Sequence, residues 1–84
     1  MNALFRLLMG VKFVIKIEGG LVARVKGEAP EEYLKDVERI CELWGIETGI
    51  IKGVGRGERI EVEVGGGIDK QHAMAFKNAW RNPL

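Results

Sequence analysis

Few side chains in this 84-residue chain are able to do covalent chemistry. Serine is absent, which excludes a serine nucleophile. Cys41 is the single thiol and His72 the single imidazole, so they form the one conceivable nucleophile–base pair. The attacking species would be the thiolate. Cys41, however, falls on an apolar helical stripe with Ile40 and Trp44, where burial keeps a thiol protonated and inert. It reads as a small core residue. No further cysteine or histidine exists to complete a zinc site, and one thiol forms no internal disulfide. A lone apolar-site thiol fits a reducing compartment. Asp36 and Asp69 stand alone, while Glu31, Glu32, Lys35, Asp36, Glu38, Arg39 and Glu42 read as the solvated side of a helix. The expectation is no enzyme, no cofactor and no metal.

Two glycine clusters imitate phosphate loops. Gly53-Val54-Gly55-Arg56-Gly57 resembles part of a nucleotide fingerprint, but it joins two strands instead of opening a helix. Gly65-Gly66-Gly67 does precede a helix, whose first N–H groups are able to hold an anion. Asp69 sits at the cap position there and would repel one. Neither cluster is expected to bind phosphate.

Hydrophobic periodicity sets out the elements around these residues. Val11–Ile17 alternates, with Val11, Phe13, Ile15 and Ile17 inward. Gly19-Gly20 supplies the positive φ of a tight hairpin turn. Leu21–Lys26 returns with Leu21, Ala23 and Val25 inward and Val22, Arg24 and Lys26 outward. Pro30 opens a helix whose first-turn Glu31 and Glu32 complement its N-terminus. Tyr33, Leu34, Val37, Ile40, Cys41 and Trp44 form its buried stripe, and Gly45 ends it. A third strand spans Gly49–Val54, and a fourth spans Arg59–Val64 with Ile60, Val62 and Val64 inward. Asp69 caps a second helix through Trp80, with Ala73, Phe76, Ala79 and Trp80 buried.

The second half repeats the first in pattern. Leu21, Ala23 and Val25 correspond to Ile60, Val62 and Val64, and Val37, Ile40 and Cys41 correspond to Phe76, Ala79 and Trp80. The predicted fold is therefore α+β, a two-layer ββαββα domain over residues 11–84 built from a duplicated ββα unit. Its sheet is four-stranded and mainly antiparallel, with both helices on one face. The strand order is left open. With 46% apolar and 30% charged residues the chain is an ordinary globular one, and its net charge of +1 gives no global pull toward nucleic acid or anionic membrane.

Surfaces carry the remaining expectations. Residues 1–10 are apolar, with Leu4, Phe5, Leu7 and Leu8 prominent, and are read as a short helix, too short to span a bilayer and without a secretory cleavage site. On the sheet face away from the helices, Val14, Val22 and Ile51 are expected to form an apolar island. A self-associating, non-enzymatic interaction module follows, with Leu4, Phe5, Leu7, Leu8, Val14, Val22 and Ile51 as its interface and a second copy as its partner. The alternative is nucleic-acid binding, with Lys12, Lys16, Arg24, Lys26 and Arg56 contacting phosphates. That face lacks the aromatics which stack bases, and Glu61 and Glu63 make its edge acidic. A third reading is weak membrane-surface attachment through residues 1–10. The corresponding location is cytoplasmic, or the cytoplasmic face of a membrane.

Phe13-Val14-Ile15-Lys16-Ile17, Gly20, Lys26-Gly27, Pro30, Tyr33-Leu34, Asp36 and Ile40 resemble a family of small bacterial proteins of unknown function. The similarity returns at Thr48-Gly49, Gly57, Ile60, Ile68 and Lys77-Asn78-Ala79-Trp80. The resemblance implies an N-terminal membrane-spanning helix, from which the short apolar start of this chain departs. It implies no catalytic or binding residues.

Overall fold

The computed structural model describes residues 10–56 and 59–80, and for Arg56 the backbone alone. Strand β1 is Val11–Glu18 and β2 is Leu21–Gly27, joined through Gly19 and Gly20 at φ 62° and 77°. Both turn positions lie in the left-handed region that a tight two-residue hairpin demands. Helix α1 covers Glu31–Trp44, β3 Thr48–Arg56, β4 Arg59–Gly65 and α2 Lys70–Ala79. Pro30 is the extended N-cap of α1, and Gly45 closes it at φ 67°. Asp69 caps α2 by accepting from the His72 amide at 3.0 Å.

The four strands form one antiparallel sheet in the order β2-β1-β3-β4. One core cluster joins Phe13, Ile15 and Ile17 of β1, Ile51 of β3 and Val62 of β4 to Tyr33, Val37 and Cys41 of α1 and Phe76 of α2. Both helices therefore cover the same face. They lie antiparallel. Tyr33, in the first turn of α1, donates its hydroxyl to the Phe76 carbonyl late in α2 at 2.9 Å. At the opposite end Trp44 meets His72, ring centroids 5.2 Å apart. Trp80 packs edge-on against Tyr33 at 5.0 Å and beside Phe13 at 5.3 Å.

Four expected burials are corrected. Between Lys16 and Ile17 the register against β2 shifts, since Lys16 faces Arg24 and Ile17 faces Val22. Ala23 is thus the extra residue of a β-bulge, which reverses the alternation beyond it. Val22 consequently packs against the core, while Leu21 (61% exposed) and Ala23 face solvent. The Val22 amide also donates to Glu38 of α1 at 2.9 Å, tying the bulged strand to the helix. A second shift near Lys12 sets Val11 opposite Val54, so Val11 is exposed instead of inward. Trp44 lies on the predicted stripe but is 53% exposed, resting on His72 at the end of α1.

Ile51 was placed on the open face by the expected island. It is fully buried opposite Ile15, because Gly49, Ile51 and Gly53 are the inward positions of β3. The glycine serves packing: a Cβ on Gly53 would run into the ring of Phe13. The expected short apolar helix, with Leu4, Phe5, Leu7 and Leu8, lies outside the described residues.

Candidate functional site: the open face of the sheet

The chemistry-bearing side chains do not converge. Cys41 is 1% exposed inside the core, and its thiol is held above its ordinary value by burial and then by the neighbouring Glu38 carboxylate. His72 instead faces Trp44, and its Nδ1 lies 3.4 Å from Asp69. Gly53, Gly55 and the Arg56 backbone continue β3 as a regular strand opposite Val62, Ile60 and Arg59, so that part of the cluster is strand, while Gly57 lies outside the described residues. Gly66 and Gly67 do turn the chain into α2, but the Asp69 carboxylate already takes the His72 amide there. Among the described residues no group of three His, Cys, Asp or Glu side chains is placed to hold a metal ion. A groove of about 530 Å³ runs between the helices past Asp36, Arg39, Asn78 and Trp80. The 3.2 Å Arg39–Asp36 ion pair, on the surface, occupies its polar side.

What the fold does assemble is the sheet face away from the helices. One row across the four strands reads Lys26, Val14, Lys52 and Glu63. The next reads Arg24, Lys16, Ile50 and Gly65. A third sets Val11, Val54 and Glu61 side by side. The face is therefore basic at the β2 edge and acidic at the β4 edge. Lys16 and Arg24 are a like-charged cross-strand pair, an unfavourable arrangement. Lys16 is partly offset by Glu18 at 3.1 Å, with both side chains more than half exposed, where such a pair contributes little.

Of the sequence-predicted interface, Val14 alone is on this face among the described residues; Val22 and Ile51 are on the other side. Of the phosphate candidates, Lys12, Lys16, Arg24 and Lys26 are exposed on β1 and β2, and the Arg56 side chain lies outside those described. No aromatic ring lies on the face among the described residues, since Phe13 points to the helices.

The family described as "Protein of unknown function (DUF3634)" matches residues 2–84. The chain belongs to the DUF3634 family. A family of unknown function assigns the chain no activity, ligand or partner. A search of the curated proteins found no match, and a search of the solved structures found none. The membrane-spanning helix implied by the resemblance falls on residues outside those described; among the described residues no helix is long and apolar enough to cross a membrane.

Besides Val11, which was read as inward, the sequence reading assigned Ile50, Lys52 and Val54 of the open face to no side. Val54 is 7% exposed although it stands beside exposed Glu61 and outside the core cluster. The signal was present in Gly49-Ile50-Ile51-Lys52-Gly53-Val54, where two glycines mark one face. Large apolar residues are normally assigned inward, and glycine is inward here because the Ile68 side chain fills the space above Gly49 and the Phe13 ring that above Gly53.

Proposed function

We propose that this domain is a non-enzymatic, self-associating interaction module that works through the open face of its sheet. One observation carries the reading: a whole sheet face bears the partly exposed Val14 and Ile50 among Lys16, Arg24, Lys26 and Lys52, opposite the face that both helices cover. Apolar surface framed by charge is the usual composition of a protein contact. The occupant we favour is the apolar segment of residues 1–10 from a neighbouring copy. The Gly55 amide donates to the Gly10 carbonyl at 3.0 Å, so the chain meets the sheet at the Val54 end of this face. The ββα duplication belongs to the same reading, as a simple way of making a broad sheet from a short unit. A cytoplasmic location, or the cytoplasmic face of a membrane, accords with the buried free thiol of Cys41.

The test is solution mass by light scattering on the full chain and on a Leu7→Glu, Leu8→Glu double variant. The wild type is expected to be a dimer or larger and the variant to be smaller. A monomeric wild type at every concentration overturns the reading.

Lys52 favours a second reading, because it extends the basic surface from β1 and β2 onto β3. Nucleic-acid binding through these cations would weaken steeply with added salt. Lys16→Glu with Arg24→Glu would reduce it, and no binding at low salt would remove this alternative.

A further inference from the structure

The two edge strands of the sheet carry opposite charge on the same face, and they are matched in spacing. On β2, Arg24 and Lys26 stand opposite Lys16 and Val14 on the open face, and Val25 stands opposite Ile15 toward the helices. On β4, Glu63 and Glu61 stand opposite Lys52 and Val54 on the open face, and Val62 stands opposite Gly53 toward the helices. All four charged side chains are exposed. We infer that a second copy of this chain docks head to tail, its β2 edge pairing with the β4 edge of the first to continue the sheet from one molecule to the next.

Direction and register both allow it. Each neighbouring pair in the order β2-β1-β3-β4 is antiparallel, so β2 and β4 run in opposite directions. A copy placed alongside in the same orientation therefore presents its β2 antiparallel to β4. Arg24 then faces Glu63, Val25 faces Val62 and Lys26 faces Glu61. Both charge pairs fall on the open side and the valine pair on the helix side. Opposite charges directly across an antiparallel pair attract, whereas like charges there repel. The usable stretch of β2 is bounded by the bulge at Ala23 and by Gly27 at φ 82°, leaving Arg24–Lys26 regular.

The helix layer keeps step with the sheet. Four strands spaced about 4.8 Å apart span about 19 Å, and two helices packed about 8–10 Å apart span about 16–20 Å. A translated neighbour thus brings its own helices over its own strands without displacing those already present. Twofold pairings are disfavoured by the same charges. Joining β4 to β4 would set Glu61 against Glu63, and joining β2 to β2 would set Arg24 against Lys26. The association is consequently heterologous, and such a contact propagates or closes into a ring.

The inference rests on the self-association proposed above but makes no use of residues 1–10. Its test is light scattering at low salt over a wide concentration range, on the full chain and two charge-reversed variants. R24E/K26E leaves both edges acidic, and E61K/E63K leaves both edges basic. Each variant alone is expected to lose the concentration-dependent rise in mass. An equal mixture is expected to regain it, because the acidic edges of one variant now meet the basic edges of the other. Circular dichroism of each variant should match the wild type, since all four side chains are exposed. If both variants assemble as the wild type does, or the mixture stays monomeric, the edge pairing is overturned while self-association stands. If the wild type is itself monomeric throughout, both fall.

Discussion

The ring of Phe13 occupies the space into which a Cβ on Gly53 would project, so the first and third strands pack through a missing side chain. Phe13 is 1% exposed and touches the rings of Tyr33 and Trp80 as well. Gly53→Val should therefore cost about 1–3 kcal/mol by overpacking. Thermal unfolding of that variant beside Gly65→Ala, where nothing lies within reach of a new Cβ, checks it. Equal stability of the two would show that Phe13 has room to move.

Phe76 and Trp44 separate two kinds of helix-stripe residue. Phe76 is fully buried, and Phe76→Ala should cost about 3–5 kcal/mol. Trp44→Ala should cost roughly 1 kcal/mol, the worth of its ring pairing with His72. Chemical denaturation midpoints measure both, and comparable losses would place Trp44 in the core after all.

Tyr33 makes stability depend on alkaline pH. Burial, and then the nearby Asp36 carboxylate, hold its hydroxyl well above the ordinary tyrosine value of 10.0. The folded state keeps this proton after the unfolded chain has begun to release it. The stabilisation is therefore complete below pH 10.0 and declines as pH rises above it. Urea unfolding from pH 8 to 11 should show a fall that Tyr33→Phe makes shallower, and identical slopes would contradict it.

Cys41 should be silent in the native protein. With 1% exposure and a raised thiol, it should not react with a disulfide reagent until the chain is unfolded. Rapid labelling without denaturant would require the core beneath α1 to open readily.

The chain's periodicity was sufficient for the element order and for most of the helix-covered face: Phe13, Ile15 and Ile17, the Tyr33–Val37–Cys41 stripe, Ile60, Val62 and Val64, and Phe76. Caps and turns were equally local, since Gly19-Gly20, Gly45 and Asp69 act on their immediate neighbours. Local sequence determines these because each depends on repeat spacing or on a backbone preference within a few residues. The candidate surface was harder to see. Which way Val22 points was decided by a bulge that exists only in the pairing of β2 with β1. The orientation of Ile51 was decided by Phe13, from another strand, filling the space above Gly53. Trp44 obeyed the helical spacing, yet its exposure depends on where α1 ends over the sheet. The juxtaposition of a basic β2 edge and an acidic β4 edge required the strand order itself. Pairing partners, bulges and strand order are long-range choices, and no residue's own propensity encodes them.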